Sequence, residues 1–403
     1  MRLEWLKNPA ETIIKTRQHT ATTMRRFIAH LDMDAFFVSV AIKRFPFLKN
    51  QAVVVGGAKV RLPSLKNAWA FDTLLNYQGR GVVCSASYNA RRLGLRSGMA
   101  LMSAAEILRQ QQKNAALIPV LKEDNQKFSK AFKAAVLEIT PEIEDVGIDE
   151  IYMDLSAFAN PVLTAQKIQQ NVFEKTGLTC SIGLSENKLM AKLASALQKP
   201  RGFTFLNMPQ DLEQRVWQLP VGKINGIGKK TAEKLATFNI LSIGDLAKAN
   251  PDFLKENFGI RLGAWLFDAA WGKDFRAVKS LKKPHQSIGF ETTFTRDMLL
   301  PNDRAFLSKT LESLCARVAE RLTKEGCSAK SVSVKITFAD FQKVERSMPF
   351  STPTKNAQEL CAAARRTLKY FDFKKRLRLL GITARRLQTA PTENCESLLP
   401  MLF

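Results

Sequence analysis

The chain has 403 residues, 45% of them hydrophobic, which is more than a single core usually serves and predicts about two to four domains. Its 61 Lys and Arg residues against 37 Asp and Glu give a formal net charge of +24, a strong field for a polyanion such as nucleic acid. The sequence has no run of about 18 apolar residues to cross a membrane, and its cysteines form no C-x-x-C pair that would indicate a zinc finger.

Apolar spacing predicts the elements in chain order. Residues 27–33 are typical of a buried strand that ends in acidic residues, and a helix-like run follows at 35–40. Further strand-like runs alternate with helical spacing and favour an α/β or α+β first half; they lie at 52–55, 82–84, 117–120, 142–145, 151–155 and 179–184. After residue 200 the pattern changes to short helices broken by glycine. Residues 275–286 form a basic linker, and 287–388 mix helical and strand-like runs as a separate α+β module.

Two acidic pairs fall at the ends of predicted strands. Asp32 and Asp34 flank Met33 after the first strand, and Asp149-Glu150 lie between two apolar strands. A hairpin of these two strands could bring the two acidic pairs together. Carboxylates are the ligands that Mg²⁺ prefers, and two such ions about 3.5–4 Å apart stabilise the attacking and leaving oxygens in phosphoryl transfer. Either pair considered alone also fits a solvated loop.

Longer motifs around these pairs carry a resemblance to a known family. In chain order they are Asp32-Met33-Asp34-Ala35-Phe36-Phe37, Ser87-Tyr88-Asn89-Ala90-Arg91-Arg92-Leu93-Gly94, Ile148-Asp149-Glu150, the Asn187-Lys188 segment within 181–195 followed by Lys199-Pro200, and the glycine-rich 219–232. From about residue 24 to 386, the chain resembles the Y family of DNA polymerases and is most similar to the bacterial DinB, or DNA polymerase IV, type.

The resemblance implies a multi-domain α+β fold shaped as a right hand. It has a ferredoxin-like palm (24–34 and 117–198), small fingers (35–116), a helical thumb (199–274) with a helix-hairpin-helix at 219–238, and an α+β little finger (287–388) after the linker 275–286. Residues 1–23 precede the family's usual start, and an over-extended gene start would explain them. Residues 389–403 form a tail.

The resemblance also assigns roles to individual residues. Asp32, Asp149 and Glu150 are expected to be catalytic and to hold two Mg²⁺ ions, or Mn²⁺ in their place, with the Met33 carbonyl as a further ligand. The role of Asp34 stays open. The residues expected to bind the incoming dNTP are Phe36, Phe37, Tyr88, Arg91 and Lys188. Arginine suits bidentate contact with phosphate and lysine acts as a point charge.

Phe37 corresponds to the family's steric gate, an aromatic ring in the space that a ribose 2′-hydroxyl would need. Phe36 beside it is expected to face the core, because adjacent helical positions point apart.

The second half of the chain is expected to hold DNA. In the hairpin, Gly226 and Gly228 let the backbone approach a phosphate, and the next helix supplies free N–H groups together with Lys229 and Lys230. Contact of this kind positions a duplex without reading its sequence. Basic clusters at 365–366, 374–378 and 385–386 fit an electrostatic grip by the little finger.

The expected partners are primer-template DNA, dNTPs and, through Leu402 and Phe403 in the tail, the sliding clamp, although the glutamine that usually leads the clamp peptide is missing. A monomer without membrane contact is expected. Residues before Met24 contain no signal-peptide core, so the expected location is the bacterial cytoplasm, on the nucleoid when active.

The expected activity is DNA-directed DNA synthesis, a nucleotidyl transfer from dNTPs to a primer 3′-hydroxyl, in low-fidelity translesion synthesis. The alternative is a non-catalytic Y-family scaffold, but such relatives generally lose the metal carboxylates that are present here. A nuclease or DNA-binding module built around the hairpin motif does not explain the presence of Phe37, Tyr88 and Arg91 in this order. Within the polymerase class, a UmuC-like subunit that requires an accessory protein is a remaining alternative. Two departures from the family are Gly147 in place of the usual serine and a longer connection between Gly57 and Gly81.

Overall fold

The structure is a computed structural model that describes residues 25–57, 60–63, 71–280, 284–300 and 302–389. The predictions for residues 1–23 and for Leu402 and Phe403 lie outside these residues. Among the described helices none is long and apolar enough to span a membrane. The five cysteines of the described ranges are free thiols.

Strands and helices alternate in the first half of the chain, as the apolar spacing predicts. They are β1 (Ile28–Met33), α1 (Phe36–Arg44), β2 (Val53–Gly56), β3 (Asp72–Thr73), β4 (Val83–Ala86), α2 (Tyr88–Arg92), α3 (Leu101–Gln110), β5 (Ala116–Ile118), α4 (Lys122–Leu137), β6 (Ile143–Asp145), β7 (Glu150–Asp154), α5 (Pro161–Thr176), β8 (Cys180–Ser185), α6 (Lys188–Leu197) and β9 (Phe203–Phe205). Strands β1 and β8 are buried on both faces, which explains their continuous apolar runs.

Five strands form the palm sheet, in the order β6-β7-β1-β8-β9. The succession β1-α4-β6-β7-α5-β8 is that of a ferredoxin-like fold, and it confirms the predicted palm. Helices α4 and α5 cover one face through a core that includes Leu31, Ile151 and Ile182. Helix α6 lies on the opposite face, so close that a Cβ on Gly183 would meet the Ala191 carbonyl oxygen at 2.1 Å.

The fingers contain a second sheet, in the order β3-β5-β2-β4. Strand β5 pairs with β2 in this sheet, so the predicted boundary at residues 116/117 cuts through a fingers strand. The predicted palm end at residue 198 likewise omits β9, which pairs with β8. Both differences arise because strand pairing extends past the motifs from which the boundaries were inferred.

The thumb is helical, with α7 (Lys229–Ala236), α8 (Ile243–Lys248), α9 (Pro251–Phe258) and α10 (Ile260–Ala270). Strong N-terminal signals separate these short helices: Ser242 and Asp245 form a capping box at α8, and Asn250 caps α9 just before Pro251. The thumb core shares Leu189 and Leu193 with the palm helix α6, which joins the two domains.

The little finger is the predicted α+β module. It comprises β10 (Ser287–Met298), α11 (Arg304–Lys324), β11 (Cys327–Phe338), β12 (Lys343–Thr354), α12 (Ala357–Leu368) and β13 (Leu377–Thr389). Its antiparallel sheet has the order β10-β13-β11-β12. Helices α11 and α12 cover one face, with Leu314, Val334 and Ile382 in the core, and the other face is open.

Candidate active site

The predicted acidic residues meet where β1 and β7 lie side by side in the palm sheet. Asp32 and Glu150 are directly opposite each other in the antiparallel register, and the Met33 N–H donates to the Asp149 carbonyl at 3.0 Å. Cβ atoms of residues opposed in this way are about 4.5–5.5 Å apart. The structure therefore brings together Asp32, Met33, Asp149 and Glu150, as the hairpin prediction requires.

Three lysine ammonium groups face carboxylates on this face of the sheet. Lys199 pairs with Asp32, and Lys192 of α6 pairs with Glu150. Lys188, one helical turn before Lys192, donates to both oxygens of Glu144 at 2.7 Å.

Lys188, which the sequence assigned to the triphosphate, is thus buried in an ion pair with β6. The lysines that reach the acidic edge are Lys192 and Lys199, and of these Lys199, for which no role was predicted, also lines the cavity beside Arg91. Its place immediately after the Asn-Lys helix, beside Pro200, was the available signal.

The charges at this edge are only partly balanced. Burial and the neighbouring Asp32 and Glu150 raise the pKa of Asp149, whereas the contacts with His30 and Lys192 lower the pKa of Glu150 to about 2. No cluster of three or more ligand side chains in the described ranges is already arranged to hold a metal. The carboxylate oxygens nevertheless fit a hard divalent cation, and the unrelieved repulsion at Asp149 is what such a cation would remove.

Asp34 has a structural role. Its side chain is 2% exposed and accepts hydrogen bonds from the Ser181 hydroxyl and the Arg201 N–H, both at 2.8 Å. The Tyr88 hydroxyl lies 3.5 Å from the same carboxylate. Asp34 therefore fastens β8, the segment after α6 and the fingers to the end of β1, and its oxygens are not available to a metal ion.

A cavity between palm and fingers contains most of the predicted nucleotide-binding residues. Its lining includes Asp32, Phe37, Arg91, Asp149 and Lys199. Phe36 also borders the cavity but is 3% exposed and packs in the palm core, whereas Phe37 is only half-buried.

The chain turns sharply from β1 into α1 at Ala35, whose φ of 43° is left-handed. Helix α1 begins directly after this turn, and its second residue, Phe37, lines the cavity together with Asp32 and Met33.

Helix α2 carries Tyr88 and Arg91, the two fingers residues that are expected to contact the triphosphate. Ser87 caps it by accepting from the Ala90 N–H, and Arg91 donates through Nε to the Ala86 carbonyl at 3.0 Å. The Arg91 guanidinium lies 4.7 Å from the centre of the Tyr88 ring. Burial and the charge of Asp34 raise the pKa of Tyr88, so its hydroxyl stays protonated and can donate.

The thumb hairpin faces the acidic edge across a cleft, which Asp32 and Lys192 line on one side and residues 222–228 on the other. Gly226 has a φ of 111°, and a Cβ there would lie 2.7 Å from the Trp265 ring. Gly228 precedes α7 and has open space around it, and Lys229 and Lys230 are exposed. The hairpin thus offers backbone N–H groups and positive charge to the cleft.

The little finger contacts the fingers through an ion pair that the sequence did not predict. Arg80, in the lengthened fingers connection, donates to Asp297 of β10 at 2.7 Å. The predicted basic clusters do not share one surface, since Arg365 lies on α12 and pairs with Glu312. Arg385 and Arg386 instead border a groove on the open sheet face.

A ferredoxin-like palm with an acidic edge, a fingers sheet and a helix-hairpin-helix thumb together define the class of right-hand nucleic-acid polymerases. The chain belongs to the Y family of DNA polymerases. The impB/mucB/samB family matches residues 31–196, its C-terminal domain matches residues 285–397, and the IMS family HHH motif matches residues 209–240.

Curated relatives agree with this assignment. The chain is 34% identical over 368 residues to DNA polymerase IV of Desulfatibacillum aliphaticivorans, covering 90% of this chain and 85% of that protein. It is 32% identical over 379 residues to DNA polymerase IV of Alkalilimnicola ehrlichii, covering 93% and 99%.

Solved structures share the fold. A Y-family DNA polymerase chimera of Dbh and Dpo4 superposes with a TM-score of 0.74 at 22% identity, over 90% of this chain and 100% of that one. DinB from Sulfolobus solfataricus superposes with a TM-score of 0.56 at 23% identity, over 89% and 98%. These comparisons confirm the predicted family and fold and do not favour the scaffold alternative.

Proposed function

We propose that this DNA polymerase extends a primer by nucleotidyl transfer at the acidic edge of the palm, in translesion synthesis. Asp32, Asp149 and Glu150 are the proposed metal ligands. The observation that carries the proposal is the cross-strand pair Asp32–Glu150 with Asp149 beside it, next to a cavity that Arg91 also lines.

Two divalent ions bound there would stabilise the attacking and leaving oxygens of the displacement. The family uses divalent ions, and Mg²⁺ is the ion we propose, with Mn²⁺ as a substitute, because the ligands are carboxylate and carbonyl oxygens. In the described structure Lys199 and Lys192 neutralise Asp32 and Glu150. The Lys199 ammonium must leave Asp32 when a cation takes its place.

Lys199 then has a second use. Released from Asp32, its ammonium lies in the same cavity as Arg91 and can pair with the triphosphate. Arg91 offers a planar fork for two phosphate oxygens, and the Tyr88 hydroxyl offers one donor. We therefore assign to Lys199 the triphosphate contact that the family resemblance predicts for Lys188, because Glu144 of β6 holds Lys188 in an ion pair.

The half-buried Phe37 is the proposed steric gate. It borders the cavity on the side of the acidic edge, together with Asp32 and Met33. A sugar bound with its triphosphate at Arg91 and Lys199 would lie against this ring, which leaves no space for a 2′-hydroxyl.

Primer-template DNA is the proposed occupant of the thumb cleft and of the open little-finger face. The hairpin supplies backbone donors, and Arg386 supplies charge beside Arg385, which is paired with Glu345. The net charge of +24 supports phosphate contacts whose counterions are released, so the affinity should fall steeply with salt.

Two further proposals concern the chain's surroundings. We place the enzyme in the cytoplasm as a monomer, on the nucleoid when active, in line with its basic charge. We propose that residues 397–403, which include Leu402 and Phe403, bind the sliding clamp, because an apolar terminus gains from a groove. Deleting 397–403 should reduce clamp-stimulated synthesis and leave basal synthesis intact; equal stimulation would refute the proposal.

Primer extension tests the proposed function. The intact chain with an undamaged primer-template, four dNTPs and Mg²⁺ should extend the primer, and the Asp149→Ala/Glu150→Ala variant should not. Glu142→Ala is a matched control, since this exposed carboxylate lies in the same hairpin. If neither the intact chain nor the control extends a primer that it binds in a salt-sensitive way, the scaffold alternative is favoured.

A further inference from the structure

A histidine with no predicted role lies buried behind the acidic edge. His30 precedes Asp32 by two residues on β1, and its side chain is 0% exposed. Its Nδ1 lies 2.8 Å from the Ser195 hydroxyl oxygen of α6, and its Nε2 lies 3.3 Å from Oε2 of Glu150. We propose that His30 is a positioning residue that fixes the Glu150 carboxylate for its cation, an inference that rests on the proposed function.

The proton inventory favours one arrangement of this contact. A neutral imidazole carries one N–H. If the Ser195 hydroxyl donates to Nδ1, the proton sits on Nε2 and points at Glu150. If the hydroxyl instead donates to the Lys192 carbonyl, which lies 2.9 Å away, Nδ1 carries the proton and the Nε2 lone pair faces a carboxylate oxygen. The second arrangement is repulsive, so the Glu150 carboxylate favours the tautomer in which the Ser195 hydroxyl donates to Nδ1 and His30 donates to Glu150.

The contact is incomplete in the described structure. Nε2 is buried and lacks a hydrogen bond of good geometry, although Glu150 Oε2 is within reach. The same Oε2 accepts from the Lys192 ammonium. A small rotation of the carboxylate, as a cation binds Oε1, would complete the bond from His30 to Oε2 and satisfy the buried donor.

The geometry also leaves one oxygen of Glu150 for the cation. His30 and Lys192 both reach Oε2, and no hydrogen bond from the described ranges reaches Oε1. A carboxylate anchored at one oxygen presents the other in a fixed direction, which is how a hydrogen-bonded neighbour tunes a metal ligand.

The imidazole itself cannot turn away. The Tyr152 ring packs on it with centroids 4.6 Å apart. Helix α6, which carries Ser195, is pressed against the sheet at Gly183, the residue opposite His30 on β8. His30 is therefore held between Tyr152 and Ser195 with one direction left open, toward Glu150.

The test compares His30→Leu, which removes the donor, with His30→Gln, whose amide restores an N–H near the position of Nε2. Mn²⁺ affinity is measured by electron paramagnetic resonance on the full chain bound to primer-template and a non-hydrolysable dNTP. His30→Leu should weaken Mn²⁺ binding about 10- to 100-fold, and His30→Gln should stay within about threefold of the intact chain. Tyr152→Phe, which keeps the ring on His30, is the control and should bind Mn²⁺ normally.

Equal losses in the Leu and Gln variants, or none in the Leu variant, would overturn the proposal. If His30→Leu does not fold, two other measurements decide: Ser195→Ala, which removes the hydrogen bond that orients the imidazole, should weaken Mn²⁺ binding, and the imidazole ¹⁵N shifts of the intact chain should show the proton on Nε2. Unchanged affinity in Ser195→Ala, or a proton on Nδ1 in the intact chain, would also overturn the proposal. If the intact chain neither binds Mn²⁺ nor extends a primer, the proposed function fails; if it does both and His30→Leu matches it, only the positioning role fails.

Discussion

Removing the charge of Lys199 should impair catalysis, whereas removing the charge of Lys188 should impair folding stability. Lys199 lines the nucleotide cavity and pairs with Asp32, whereas Lys188 is buried and pairs with Glu144. The changes compared are Lys199→Met and Lys188→Met, because methionine keeps most of the side-chain length and loses only the charged group.

The expected loss in Lys199→Met is catalytic. A charged hydrogen bond to the triphosphate contributes about 1.5–3 kcal/mol, which corresponds to a fall of about 10- to 150-fold in kcat/KM for dNTP insertion. Most of that fall should appear in KM. Folding stability should change less than in Lys188→Met, because Asp32, the carboxylate left without its partner, is 27% exposed and can be solvated.

The expected loss in Lys188→Met is in stability. Removing one partner of a buried ion pair leaves the other charge uncompensated, at a cost of about 3–5 kcal/mol when both are fully buried. Glu144 is 19% exposed and also accepts from the Lys279 N–H, so a loss of about 2–3 kcal/mol is expected. For the palm, fingers and thumb together, residues 24–274, that loss lowers Tm by about 4–12 °C.

Steady-state insertion of one nucleotide against dNTP concentration, paired with thermal unfolding of each variant, separates the two outcomes. If Lys188→Met raised KM for dNTP with an unchanged Tm, and Lys199→Met inserted nucleotides normally, the assignment of the two lysines would be wrong.

Three further predictions follow from the site and its surroundings. Phe37→Ala should allow the incorporation of ribonucleotides. Unchanged discrimination between ribonucleotides and deoxynucleotides in primer extension would show that Phe37 is not the steric gate. Arg80 and Asp297, each at most a quarter exposed, should show a coupling of about 0.5–1.5 kcal/mol in a double-mutant cycle on Tm; additive losses would show that the fingers and little finger do not pair there. Because the pKa of Asp149 is raised, protons should compete with the cation as pH falls, so apparent Mg²⁺ affinity should weaken on the acidic side. Asp149→Asn should flatten this pH dependence. If Mg²⁺ affinity falls as steeply with pH in the variant, protonation of Asp149 is not its cause.

Much of the catalytic half could be predicted from the sequence, for local reasons. The apolar run of β1 ends at Asp32, and the strands around Asp149 are short enough to form a hairpin, so the acidic edge follows from strand ends and one turn. The family motifs then supplied Phe37 and Arg91, which the structure places at the same cavity.

Long-range contacts could not be predicted in this way. Lys188 lies in the Asn-Lys segment and Lys199 follows it, and only the packing of α6 on the palm sheet decides that Glu144 pairs with Lys188. Arg80 and Asp297 are 217 residues apart, and no pattern of period or charge connects them. The sequence predicts His30 only as a buried strand residue. Its contacts with Ser195 and Glu150 become apparent only in the folded structure.

The most direct test of the central claim is a crystal structure of the chain with primer-template, a non-hydrolysable dNTP and Mg²⁺. We predict two ions about 3.5–4 Å apart, held by Asp32, Asp149 and Glu150, with the Lys199 ammonium moved from Asp32 to the triphosphate. A nucleotide bound with no ion at these carboxylates, or with Lys199 still paired to Asp32, would contradict it.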